Sequence, residues 1–234
     1  NGWMGINPDE KYMPGSLMKV PELITFLKME ESNPGTLNKV LTMTHSYEMD
    51  KHPEYLSKSI EIGKSYTVRE LLRYMIEYSD NDATSLLFEN MDKSMFQKVF
   101  TDFGMTCPNL SAQNYPITAK EYTYFMRSLY NASYLSIKSS EFATELLSKC
   151  NFTKGLVAGI PSNTKVAHKF GESGDPNEKH LSESGIVYLN GSPYTITIMT
   201  RGKELKKLPE VIKQLSEAVY QSMASRDNVS LASS

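Results

Sequence analysis

The chain has 234 residues and a formal net charge of −2, with 40% hydrophobic and 22% charged residues, which allows one large domain or two closely packed lobes around a sizeable core. The charge balance gives no basic excess for nucleic acid and no polybasic run for a membrane surface. No apolar run is long enough to span a bilayer, and the two cysteines and four scattered histidines offer no metal-ligand spacing.

Asn1-Gly2 has the chemistry of a type I′ hairpin turn, and Trp3 to Ile6 reads as the strand leaving it. The partner strand would precede residue 1, so the natural protein is expected to continue upstream with a strand and an export signal. Asn7 to Lys11 is a polar turn. After Pro14-Gly15, the residues Leu17, Val20, Leu23, Ile24 and Leu27 recur at helical spacing. They predict a helix from Ser16 to about Met29, with Pro21 near its start, where a missing N–H matters least. Glu30 to Gly35 reads as a loop, Asn38 to Thr44 is ambiguous, and Glu48 to Ile62 is polar. Thr67 and Glu70 form a capping box that opens an amphipathic helix through Leu71, Leu72, Met75 and Ile76.

Ser79-Asp80-Asn81 links that helix to one from Ala83 to Glu89. Ser94 to Phe103 is helical and stops at Gly104, and Met105 to Pro116 is irregular. Thr118 and Glu121 form a second capping box, for a helix to about Tyr130, and Ser139 to Cys150 is one more helix. From Lys165 the pattern changes to strands: Val166 to Gly171, a polar turn from Gly174 to Lys179, Ser184 to Leu189, and an Asn190-Gly191 hairpin turn. Tyr194 to Thr200 alternates as a half-buried strand should. Leu208 to Met223 is a last amphipathic helix, and Arg226 to Ser234 reads as a frayed tail. The architecture expected is α+β: an antiparallel sheet lobe from both chain ends (1–15 and 165–234) and an inserted helical lobe (16–164), with a cleft between them as the natural site.

Chemistry concentrates at Ser16. It sits where a loop becomes a helix, with the positive dipole end and free backbone N–H groups around it. Lys19 lies one turn on and would serve as its base if a crowded, positive site keeps the amine partly neutral. Roughly one S-x-x-K is expected by chance in a chain of this size, so the motif alone favours a capping serine and a solvated lysine. Order decides otherwise: S-x-x-K at Ser16–Lys19 is followed by S-D-N at Ser79–Asn81 and by K-x-G at Lys169–Gly171 on a strand.

These three motifs in this order resemble the serine β-lactamase and penicillin-binding protein superfamily, most of all its class A β-lactamases. Tyr66 to Leu72 and Ser184 to Tyr188 are also similar to class A sequences, so the resemblance covers nearly the whole chain. It implies the class A β-lactamase-like fold, an acyl-Ser16 intermediate, and Lys19 as the group that helps deprotonate Ser16. Ser79 would relay a proton to the leaving group, and Asn81 would hold a substrate amide. Lys169 would add positive charge that lowers the proton affinity of Lys19 and helps bind an anionic substrate. The backbone N–H groups of Ser16 and Glu172 would form the oxyanion hole. Asp80 would tie down its turn. No metal or cofactor is implied; the partner is a small-molecule β-lactam, peptidoglycan-like or related amide or ester substrate, the chain a monomer, and the location extracytoplasmic.

Two departures bear on activity. Class A enzymes carry a glutamate on a loop between the second and third motifs, where it positions the deacylating water; the matching stretch here, Gly104 to Pro116, contains no Asp or Glu. Deacylation is therefore expected to be slow. Phe170 stands where a Thr or Ser hydroxyl usually meets the substrate carboxylate. Phe170, Gly171, Glu172 and Ser173 remain the candidate substrate-binding stretch, with Ser173 as the substitute hydroxyl and simple strand packing as the competing reading of Phe170. Alternatives are a penicillin-binding or D-Ala carboxypeptidase-like enzyme, an esterase or amidase, or a catalytically silent domain that binds a wall peptide or a protein.

Overall fold

The structure, a computed structural model, describes residues 2–47, 54–55, 58–110, 115–174 and 177–232, with side chains placed as far as Ser225. In chain order the elements are β1 (Lys11–Tyr12), a 3-10 turn (Gly15–Met18), α1 (Lys19–Ser32), a second 3-10 turn (Thr36–Asn38), β2 (Val40–Thr42), β3 (Ser65–Thr67) and α2 (Val68–Glu77). There follow α3 (Asn81–Glu89), α4 (Lys93–Asp102), β4 (Ile117–Thr118), α5 (Ala119–Tyr130), α6 (Ile137–Leu147) and a 3-10 turn (Leu156–Gly159). The chain ends with β5 (Val166–Gly174), β6 (Lys179–Val187), β7 (Tyr194–Gly202), a 3-10 turn (Leu205–Lys207) and α7 (Leu208–Ala232).

The chain forms two compact units. The first comprises residues 1–17, 114–127 and 152–234. Its centre is the antiparallel sheet β5-β6-β7, in which Lys169 pairs with Ser184 and Gly171 with Ser182. α7 and the 3-10 turn Leu156–Gly159 pack together beside this sheet, and Ser216 donates from α7 to the Leu156 carbonyl at 2.9 Å. β1 and β4 form a separate antiparallel ribbon. The second unit comprises residues 18–113 and 128–151. There α1 packs against α2, α4 and α6, and α2 against α3.

Local chemistry accounts for the helix starts. Both arms of the Thr67/Glu70 capping box form: Glu70 N–H donates to Thr67 Oγ1 at 3.2 Å and Thr67 N–H to Glu70 Oε2 at 2.7 Å. The Thr118/Glu121 box closes in the same way. Asp80, Asp92 and Ser136 cap α3, α4 and α6 with side-chain oxygens.

Three expectations need correction. Trp3 to Ile6 is not a strand: no described strand pairs with it, and Trp3, Met4 and Ile6 are 76–80% exposed. A strand exists only through a ladder, and none of the described residues supplies one to this segment. The first helix opens as a 3-10 turn and runs on to Ser32, so the loop expected from Glu30 is shorter; Glu30 instead accepts hydrogen bonds from the backbone N–H groups of Gly35 and Leu37. α7 continues to Ala232 instead of fraying from Arg226, because no Gly or Pro follows Pro209 of its first turn. The ambiguous segment near Asn38 contributes β2, paired with β3. No disulfide joins Cys107, which is exposed, to Cys150, which is buried. Asn1 of the expected hairpin turn, His52 and residues 111–114 of the irregular stretch lie outside the described residues.

Candidate active site

In the first unit, two glycines let backbone meet backbone. Gly15 has φ +52°, and a Cβ on it would run into the Glu172 carbonyl. A Cβ on Gly171 would strike the Pro14 carbonyl oxygen and come within 2.6 Å of Leu17 N and 3.0 Å of Ser16 N. β5 therefore lies directly along the turn that carries Ser16. The backbone nitrogens of Ser16 and Glu172 are on these two touching segments. Three hydrogen bonds hold the turn: Leu17 N–H to the Pro14 carbonyl at 3.1 Å, Ser173 Oγ–H to the Met13 carbonyl at 2.9 Å, and Tyr122 O–H to the Leu17 carbonyl at 2.8 Å. Burial pushes the Tyr122 phenol well above its ordinary range, so it stays a donor.

Lys169, three residues before Glu172, is fully buried. Its Nζ donates to the Phe170 carbonyl at 2.9 Å and lies 4.1 Å from the centre of the Phe170 ring. The Phe170 ring is 2% exposed and stacks on Phe152 with centroids 4.4 Å apart. β5 is buried on both faces from Val166 to Gly171, so a strand residue there packs whichever way it points. Next to Lys169, His168 Nδ1 lies 2.6 Å from Glu183 Oε1, and Glu183 Oε2 accepts from Leu156 N–H at 2.8 Å.

In the second unit, α1 delivers Lys19, the link between α2 and α3 delivers Ser79, and the first residue of α3 is Asn81. Lys19 is 3% exposed, and its Nζ lies 2.6 Å from the Ser79 carbonyl oxygen, 3.2 Å from Ser79 Oγ and 2.8 Å from Asn81 Oδ1. Ser79 has φ +55°, a left-handed conformation uncommon for a residue with a Cβ. Asp80 maintains it. One carboxylate oxygen accepts from Ile60 N–H at 2.8 Å, the other from Asp82 N–H at 3.1 Å, and Asp80 N–H donates to the Tyr74 carbonyl at 3.2 Å. Burial raises the Asp80 carboxyl, with these backbone donors opposing it.

The structure thus joins Lys19, Ser79 and Asn81 in one hydrogen-bonded group and sets the backbones of Ser16 and Glu172 side by side around Gly15 and Gly171. It turns the Ser173 hydroxyl onto the chain and the Phe170 ring into the interior. Sequence reasoning passed over Glu22, which is buried on α1, and the His168–Glu183 pair. No local sequence signal marks Glu22: it falls between Lys19 and Leu27 on α1, and every residue of that stretch is buried by the elements packed around it.

A model of the β-lactamase enzyme family matches residues 1–223. The chain is 24% identical over 180 residues to a protein of Phocaeicola vulgatus named Beta-lactamase; the match covers 67% of this chain and 56% of that one, less than two thirds of its length. Among solved structures, a β-lactamase from Chitinophaga pinensis is similar with a TM-score of 0.79 at 21% identity, covering 94% of this chain and 88% of that one. A mutant of PBP-A, in an acyl-enzyme complex with penicillin G, is similar with a TM-score of 0.77 at 20% identity, covering 95% of this chain and 85% of that one.

Proposed function

Because the chain belongs to the β-lactamase enzyme family and has the class A β-lactamase-like fold, we propose that it is an extracytoplasmic serine hydrolase, working as a monomer through an acyl-Ser16 intermediate. Its substrates are β-lactams or related amides and esters, and its deacylation is slow. The observation that carries the reading is the hydrogen-bonded Lys19–Ser79–Asn81 group, whose Lys19 follows Ser16 by three residues in the sequence.

Ser16 Oγ attacks the substrate carbonyl carbon and passes its proton to the neutral Lys19 amine. The backbone N–H groups of Ser16 and Glu172 receive the oxyanion; losing one such donor typically slows turnover by about 10²–10³. As the intermediate collapses, the carbonyl C–N bond of an amide substrate breaks, and the leaving nitrogen takes a proton through the Ser79 hydroxyl, which can accept from Lys19 and donate onward. Asn81 orients the substrate amide and Lys169 supplies the positive field. Water must then cleave the Ser16 ester. Gly104 to Pro116 offers no carboxylate to activate it, and general-base help of that kind is worth about 10²–10⁴. This omission favours a penicillin-binding behaviour, acylation without efficient turnover, over efficient drug hydrolysis.

Intact-mass spectrometry over time after mixing with penicillin G is the test. A persistent adduct that Ser16→Ala abolishes is the expected result. An adduct that decays while hydrolysed drug accumulates would overturn slow deacylation. An adduct unchanged in Ser16→Ala would overturn Ser16 as nucleophile. No adduct with penicillin G, an activated ester or a D-Ala-D-Ala peptide would leave a silent binding domain.

A further inference from the structure

α1 is enclosed on every side from Lys19 to Leu27, so its polar residues are buried together with its apolar ones. Glu22 follows Lys19 by one turn, the spacing at which helix neighbours share a face. It is 7% exposed, and its Oε2 is enclosed with no hydrogen-bond donor among the described residues. Lys93, the first residue of α4, is a second orphan: its enclosed Nζ has no acceptor among the described residues and lies 3.7 Å from the centre of the Phe88 ring. Buried polar atoms without partners are rare and demand a reason. An enclosed carboxylate with no hydrogen bond is strongly disfavoured, whereas the neutral acid is tolerated.

The charges acting on Glu22 are Lys19, from its own helix, and Lys93, from α4. Beyond them, Lys93 faces Glu89 at the end of α3, and Lys19 faces Asp80. α2, α6 and the 3-10 turn Thr36–Asn38 also pack on α1, but none of the charges acting on Glu22 comes from them. Burial pushes the Glu22 carboxyl up to about 8; the two lysines pull it down and do not outweigh the burial.

We propose that the Glu22 carboxyl sets the charge state of Lys19: as the neutral acid it leaves the Lys19 amine able to accept the Ser16 proton, and as the carboxylate it holds Lys19 as the ammonium. Glu22 is thus a positioning residue that acts through Lys19, and the inference rests on the reading of Lys19 as the base. With one proton removed, the pair is either acid plus amine or carboxylate plus ammonium, two forms with the same proton count. The enclosed Glu22 Oε2 keeps the carboxyl neutral below about pH 8, where it adds no charge that would hold the Lys19 ammonium. Loss of the carboxyl proton above about pH 8 places a negative charge one turn from Lys19 and raises the Lys19 midpoint.

The test is a carbon-13 NMR titration of the glutamate carboxyl and lysine Cε resonances, with no acyl donor present. The Glu22 carboxyl is expected to titrate near pH 8, with a step at the same midpoint in the Lys19 Cε shift. Glu22→Gln, fixed in the neutral form, is expected to lose that step and to lower the Lys19 midpoint by about one pH unit or more. A Glu22 carboxyl that titrates near its ordinary 4.5, or a Lys19 curve unchanged in Glu22→Gln, would overturn the proposal. The wild type alone provides a second reading. The folded chain keeps a proton that the unfolded chain releases near 4.5, so the urea midpoint should fall as pH rises from 4.5 towards 8, and Glu22→Gln should remove that contribution. A urea midpoint with the same pH dependence in both proteins would also overturn it. None of these readings needs a substrate, so a missing penicillin adduct would count against the acyl-serine reading and not against this one.

Discussion

Ser79 stands in a left-handed conformation at φ +55°, which disfavours a residue with a Cβ by roughly 1–2 kcal/mol. The Asp80 hydrogen bonds to Ile60 and Asp82 offset that strain and leave the Ser79 hydroxyl against Lys19. Strain at a functional position trades stability for geometry. Ser79→Gly should therefore be more stable than Ser79→Ala by about 1 kcal/mol, a Tm higher by about 2–4 °C, while both lose the hydroxyl and acylate more slowly. Equal melting temperatures for the two variants would count against the strain. At this scale the motif letters were legible in the sequence, because S-x-x-K, S-D-N and K-x-G are contiguous. The environment of each letter was not: Ser173 donates to Met13, 160 positions away in sequence, and Glu22 is buried because of what covers α1.

At the scale of elements, helix starts were readable because a cap is a contract between residues three apart; Thr67 with Glu70 and Thr118 with Glu121 close both arms. Strands were less so. Trp3 to Ile6 has the composition of a strand and no ladder among the described residues, whereas β5 pairs as its sequence predicts but is buried on both faces from Val166 to Gly171. That enclosure packs Phe170 against Phe152 and makes Gly171 a steric necessity. Gly171→Ala should drive β5 away from the Ser16 turn, lowering stability by about 1–3 kcal/mol and slowing acylation at least tenfold. Penicillin labelling rates and urea midpoints check both effects; an unchanged labelling rate would mean that the turn tolerates the extra methyl.

At the scale of the whole molecule, each compact unit is assembled from distant stretches of chain. The second needs residues 128–151 as well as 18–113, because α6 brings the buried Ala143, Leu146 and Leu147 against α1 and α2. A fragment of 18–113 alone should show the poorly dispersed amide spectrum of an unfolded or molten chain, and adding 128–151 through a flexible linker should restore dispersion. A well-dispersed spectrum from 18–113 would contradict this. The sequence by itself determined the mixed helix and sheet class, the helix caps and the hairpin near Asn190-Gly191, and it singled out the candidate residues, since all of these are encoded in periodicity or in neighbours a few positions apart. Only the tertiary structure decided which side chains lost their water. Burial depends on what a distant segment covers: it turns Phe170 inward and leaves the Glu22 Oε2 enclosed with no hydrogen-bond donor among the described residues, just as a carbonyl 160 positions away takes the Ser173 hydroxyl.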